Sequence, residues 1–164
     1  MHSNQVIMDR TQLPIVQQHQ RYMARAYMLA EQAFDEGEVP VGAIVVYDGQ
    51  IVGKGFNQVE RLNDPTAHAE MIAISAAAET LSSKYLHDCT LYVTLEPCSM
   101  CAGASVWSKL GTLVFGASDA KAGGCGSIFN IASNDKLNHQ VKVIQGIMEA
   151  ECEALLKDFF KDKR

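Results

Sequence analysis

The chain has 164 residues, 48% hydrophobic and 20% charged, with a mean hydropathy of −0.03. That length suits one domain that buries about 70% of its unfolded surface and needs no disulfide staples, and 12 Gly with 4 Pro exclude a collagen-like or disordered chain. Nineteen acidic against fourteen basic side chains leave a net charge of −5, so a nucleic-acid surface would have to be a local basic patch.

Residues 1–18 are polar and aperiodic, with Pro14 among them, and are expected to form a loosely ordered N-terminal extension. They hold no basic region followed by an apolar stretch, so no export signal is expected and the cytoplasm is the expected compartment. No apolar run approaches the ~18 residues of a membrane span. From His19 to Glu36, Tyr22, Met23, Ala26, Tyr27, Ala30, Ala33 and Phe34 recur at helical spacing, and Gly37 supplies a stop. Val41–Tyr47 and Gln50–Phe56 are β-prone runs joined by Asp48-Gly49, a two-residue hairpin signal.

Residues 57–67 read as a loop with a turn at Asn63-Asp64-Pro65, followed by a helix over 68–82 rich in Ala, Ile and Met. Thr90–Leu95 is a short buried strand. Pro97 opens a helix reaching about Ser108, in keeping with proline's tolerance in a first helical turn. Thr112–Phe115 is a fourth strand. The stretch 117–138, broken by Gly123-Gly124-Cys125-Gly126, is long enough to be functional or to hide helical turns. A fifth strand is expected over 140–144 and a last helix over 148–161, burying Cys152, Leu155, Leu156, Phe159 and Phe160. Strands separated by helices imply one α/β domain over 19–164 with an open sheet covered on both faces.

Five cysteines, an odd number, argue for thiols over a disulfide framework. Cys98 and Cys101, three apart at a helix start, share one face and can reach one ion, and the helix N-terminus favours their thiolates. His68 in T-A-H-A-E would complete a three-ligand Zn²⁺ set with an open fourth position, the pattern of a catalytic zinc site. Such an ion brings the pKa of water towards about 7. Glu70, beside the ligands without being one, can carry the proton. His68 and Glu70 share a pocket only if His68 sits at the helix start, outside the regular spiral. Two alternatives stand beside this: a thioredoxin-like redox pair at Cys98 and Cys101, and a structural zinc site closed by Cys89, Cys125 or His139.

The chain resembles the bacterial tRNA adenosine deaminases of the cytidine-deaminase superfamily. The resemblance runs over E-V-P-V-G-A at 38–43, D-P-T-A-H-A-E at 64–70, L-Y-V-T-L-E-P-C-S-M-C-A-G-A at 91–104, V-F-G-A-S-D-A-K at 114–121, N-H at 138–139 and L-L-K-D-F-F at 155–160. It implies a three-layer α/β/α, cytidine-deaminase-like fold with a mixed five-stranded sheet. It also implies one Zn²⁺ per chain on His68, Cys98 and Cys101, proton shuttling by Glu70, and substrate contacts from Asn57, Asp119 and Lys121. The implied reaction converts adenosine to inosine at the wobble position of a tRNA anticodon, an arginine tRNA foremost, in a homodimer. The rival reading is a deaminase of free nucleobases or nucleosides, such as guanine or cytosine. A base in an anticodon loop is already unpaired, which lowers the cost of splaying it into a pocket.

Three residues depart from the family pattern. Ser118 stands where many members carry arginine, Trp107 where histidine is common, and Cys125 interrupts the glycine-rich loop. Phe159 and Phe160 are expected in the core, and the four basic and two acidic side chains of 157–164 as a solvated tail.

Overall fold

A computed structural model describes residues 13–161 and residue 163. The helices are α1 (Leu13–Asp35), α2 (Val59–Leu62), α3 (Ala69–Leu81), α4 (Ser99–Trp107) and α5 (Glu149–Lys161). The strands are β1 (Gly42–Tyr47), β2 (Gln50–Phe56), β3 (Cys89–Leu95), β4 (Thr112–Ala117) and β5 (Lys142–Gln145). The strands form one mixed sheet in the order β2-β1-β3-β4-β5. β1 is antiparallel to both β2 and β3, whereas β3, β4 and β5 run parallel.

The register explains why one sequence can cover two faces. Val45, Leu91, Leu113 and Val143 stand in one row across the sheet, and Ile44, Tyr92, Val114 and Ile144 in the next. Side chains alternate between faces along a strand, so the first row joins the core beneath α3 and α4, with Ala69, Ala73 and Ala77. The second row packs under α1, against Met23 and Ala26. α5 lies on the α1 side, where Phe34 and Phe159 meet edge-on at 5.8 Å. Each large apolar side chain buried this way contributes about 1.5–3 kcal/mol.

Small residues bring two helices unusually close to the sheet. A Cβ at Gly53 or Gly55 would run into the carbonyl oxygens of Ala73 or Ala69, and one at Gly42 into that of Ala26. α3 is therefore seated backbone-to-backbone on β2, and its first turn has no freedom to shift. The hairpin forms where Asp48-Gly49 predicts it: their φ values of 48° and 73° are the left-handed pair that matches strand twist.

Several boundaries differ from the expectation. α1 begins at Leu13, so residues 13–18 belong to the helix; Pro14 sits in its first turn, where no N–H is required. The expected extension over 1–12 lies outside the described residues. The loop 57–67 contains α2, and β5 lies at Lys142–Gln145 instead of 140–144. Pro97 precedes the helix it was expected to open, because Cys98 takes the capping position. On α5 only Cys152 and Phe159 are buried; Leu155 and Leu156 are half-buried, and Phe160 is exposed because it falls on the opposite face. Among the described residues no helix is long and apolar enough to cross a membrane.

Candidate metal centre and active site

Two helix starts converge on one point. His68 caps α3 with extended backbone (φ −74°, ψ 150°), so its ring leaves the helical spiral and Glu70, two residues on, faces the same space. Cys98 caps α4 in the same way (φ −69°, ψ 176°), and Cys101 lies in that helix's first turn. His68 Nδ1 is 3.6 Å from Cys98 Sγ and 3.6 Å from Cys101 Sγ. The ligand atoms of His68, Cys98 and Cys101 all lie within 4.8 Å of one another, and these three are the only such group among the described residues.

The electrostatics follow from that crowding. Cys98 is pulled down to about 3 by the hydrogen bond from Cys101 and then by that from His68. Cys101 is pushed up by donating to Cys98 and by burial. The bond to Cys98 raises His68. Glu70 is buried, and desolvation raises its carboxyl. A cation held by the three residues would let both sulfurs carry charge, because a metal deprotonates a coordinating thiol outright.

The group opens into a cleft of about 290 Å³. His68, Glu70 and Cys98 form its floor, Val39, Val41 and Leu95 give it apolar sides, and Asn57 and Asp119 stand at its walls. Cys101 is fully buried behind the floor. Asn57 Nδ2 donates to the Val39 carbonyl at 3.2 Å and its Oδ1 accepts from Val59 N at 3.1 Å, which ties the side chain to the turn leading into α2. Asp119 accepts from Lys121 N and Ala122 N. Lys121 does not line this cleft; it lies in an adjoining groove of about 1000 Å³ between residues 118–122 and α5. The fourth-ligand candidates stand elsewhere. Cys89 is in the core, His139 Nε2 is 2.6 Å from the Leu110 carbonyl, and Cys125 falls outside the ligand group, its thiol raised to about 12 chiefly by burial.

Two buried carboxylates on the cleft went unread in the sequence, since neither sits in a metal-binding spacing. Glu38 accepts from Glu60 N at 2.7 Å and so holds α2. Glu96, 2% exposed, accepts from the backbone N–H groups of Asp119, Cys125 and Ser127 and from the Ser127 hydroxyl. Burial raises Glu96, but these bonds together outweigh it and hold the carboxyl low. The only available signal was its place in E-P-C, two residues before a ligand.

A MafB19-like deaminase family model matches residues 17–164. A tRNA-specific adenosine deaminase of Aquifex aeolicus is 53% identical over 82% of this chain and 89% of its own length. This chain belongs to the tRNA-specific adenosine deaminase family. A structure solved in a study of A-to-I editing by tRNA:A34 deaminases matches with TM-score 0.79 at 38% identity, covering 82% of this chain and 98% of that one. The guanine deaminase of Nitrosomonas europaea, at 24% identity over 85% and 83% of the two chains and TM-score 0.74, shares the fold. The deaminase fold is thus the mixed five-stranded, helix-covered sheet that the resemblance implied. Against the family pattern, Ser118 lies exposed on the adjoining groove, and Trp107 ends α4 at 83% exposure.

Proposed function

We propose that this chain hydrolyses adenosine to inosine at the wobble position of a tRNA anticodon, with one Zn²⁺ held by His68, Cys98 and Cys101. The observation that carries the reading is the three-ligand group beside a buried Glu70 on the floor of a base-sized cleft. Zn–S bonds of about 2.3 Å and a Zn–N bond of about 2.05 Å at tetrahedral angles put nitrogen and sulfur about 3.6 Å apart, which is the spacing of these side chains. Three protein ligands leave one position open, and zinc bound there supplies a Lewis acid that acidifies water at neutral pH.

Glu70 is the proton carrier. Its raised pKa suits a group that takes a proton from the attacking water and returns it to the adenine ring nitrogen. It then passes the second proton to the departing amino group, so that water and adenosine become inosine and ammonia. Asn57, fixed at both polar atoms, orients the nucleotide, Asp119 meets it from the other wall, and Lys121 meets the flanking polynucleotide in the adjoining groove. The apolar Val39, Val41 and Leu95 pack the base and exclude stray water.

The adjoining groove supports a polynucleotide over a free base. It shares Val39, Leu95, Asp119 and Ala122 with the cleft and carries Lys121, Lys157, Lys161 and Lys163 against Asp119 and Glu153, the last paired with Lys157, an excess of basic side chains on an acidic chain that a free base would not need. An arginine tRNA in the cytoplasm is the expected substrate. A homodimer is the expected assembly, consistent with exposed Trp107, Ile128 and Phe129. The test is inosine formation at the wobble adenosine of an arginine tRNA with anticodon ACG, using zinc-loaded protein. Ammonia release from guanine or cytosine with none from tRNA would replace this reading by the free-base one.

A further inference from the structure

Residues 118–141 link β4 to β5 without a helix or strand, yet Asp119 and Ala122 at their start line the cleft. Only short backbone bridges, Cys98 with Gly123 and Cys125 with Asn130, pair this segment, and the N–H groups of Asp119, Cys125 and Ser127 need acceptors outside it. Glu96 supplies them. One carboxylate oxygen accepts from Asp119 N at 3.0 Å and from the Ser127 hydroxyl; the other accepts from Cys125 N and Ser127 N, both at 3.1 Å. Gly123 is the residue that lets the chain close around it, because a Cβ there would run into Glu96 Oε2. The same segment is tied beside the metal group through Gly124 N and the Pro97 carbonyl at 2.7 Å.

We propose that Glu96 is a positioning residue that holds the substrate-side wall, Asp119 foremost, at a fixed distance from the metal-side floor and thereby sets substrate affinity. The inference rests on the deaminase reading of the cleft. Its geometry separates it from a general fold-stabilising role: all four donors lie in residues 119–127, and the strand pairings of the sheet do not use this carboxylate. It also accepts from none of His68, Cys98 and Cys101, so its action on the chemistry is indirect. Bonds to a charged acceptor are the strong class, and removing the acceptor strands three backbone donors. Glu96→Gln keeps the size but turns an NH₂ towards donors that need an acceptor.

The experiment compares wild type with Glu96→Gln on an anticodon stem-loop, with metal content and amide hydrogen exchange followed alongside. The expected result is one metal per chain, kcat within about threefold, KM raised about tenfold or more, and faster exchange at Asp119, Cys125 and Ser127. An unchanged KM, a fall in kcat at constant KM, loss of the metal, or unchanged exchange at those amides would overturn the proposal. If Glu96→Gln fails to fold, Gly123→Ala displaces the carboxylate while keeping its charge and is expected to raise KM in the same way; an unchanged KM there overturns it too. Wild-type inactivity on RNA would sink the functional reading, while the exchange measurement would still decide whether Glu96 holds the wall.

Discussion

The two sides of the cleft are built by different means. The floor is carried by the first turns of α3 and α4, and α3 is locked to β2 by glycine–alanine contacts that leave no slack. The opposite wall is a segment outside the helices and strands, held by two short backbone bridges and by side-chain acceptors: Glu96 for residues 119–127 and Asp119 for the turn at 121–122. Chemistry that needs atoms placed to a few tenths of an ångström sits on the rigid side. On the proposed function, the side that would meet the polynucleotide is the one whose shape can change by altering a few hydrogen bonds.

If that division holds, changes on the floor should abolish turnover and changes on the wall should grade affinity. Cys101→Ala is expected to have the largest effect, losing both bound metal and inosine formation; metal analysis showing one ion per chain would break the three-ligand assignment. Glu70→Gln should keep the metal and lower kcat about 10³-fold, within the range for removing a proton carrier. Near-normal turnover in that variant would move the proton to another group. Gly55→Ala attacks the seat of α3 by pushing a methyl against the Ala69 carbonyl. It should cost about 2 kcal/mol and lower the melting temperature by roughly 6 °C; an unchanged melting curve would show that α3 can slide. The smallest effect is expected from Ser127→Ala, which removes one of Glu96's four donors. About 1 kcal/mol and a KM change of about twofold are expected, with kcat constant, and a collapse of kcat would erase the distinction between wall and floor.

The same division governs what could be read beforehand. Features encoded by local chemistry were legible. Asp48-Gly49 announced its turn through its tolerance of positive φ, short apolar runs separated by helices announced a sheet covered on both faces, and the spacing of His68, Glu70, Cys98 and Cys101 announced a shared site. The need for His68 to leave the helical spiral also followed from spacing, and its extended backbone meets that need. What depends on contacts distant in sequence was not legible. Nothing near Glu96 indicates that its partners lie at 119–127, so the loop looked like unexplained length. Phe159 and Phe160 are adjacent and equally apolar, and only the position of α1 decides that Phe159 meets Phe34 while Phe160 faces out. Pro14 suggested an interruption because a proline inside a helix breaks it, whereas in a first turn it does not.

The strand order carries a consequence for how the molecule assembles. The β1–β2 hairpin joins chain neighbours through a two-residue turn, a closure that takes microseconds. Every other pairing brings together strands separated by a helix or a long loop, and each pays more loop-closure entropy before it is rewarded. Among the remaining pairings, β3 with β4 (Leu91 and Leu113) closes the shortest loop, β4 with β5 (Leu113 and Val143) a longer one, and the hairpin onto β3 (Val45 and Leu91) the longest. Construction of the sheet is therefore expected to follow that order. The wall of the cleft, strung between β4 and β5, then takes shape before the floor, whose His68 and Cys98 lie on either side of the last pairing to form. A nascent or heat-stressed chain would thus hold Glu96 and its loop together while His68 still stood apart from Cys98 and Cys101.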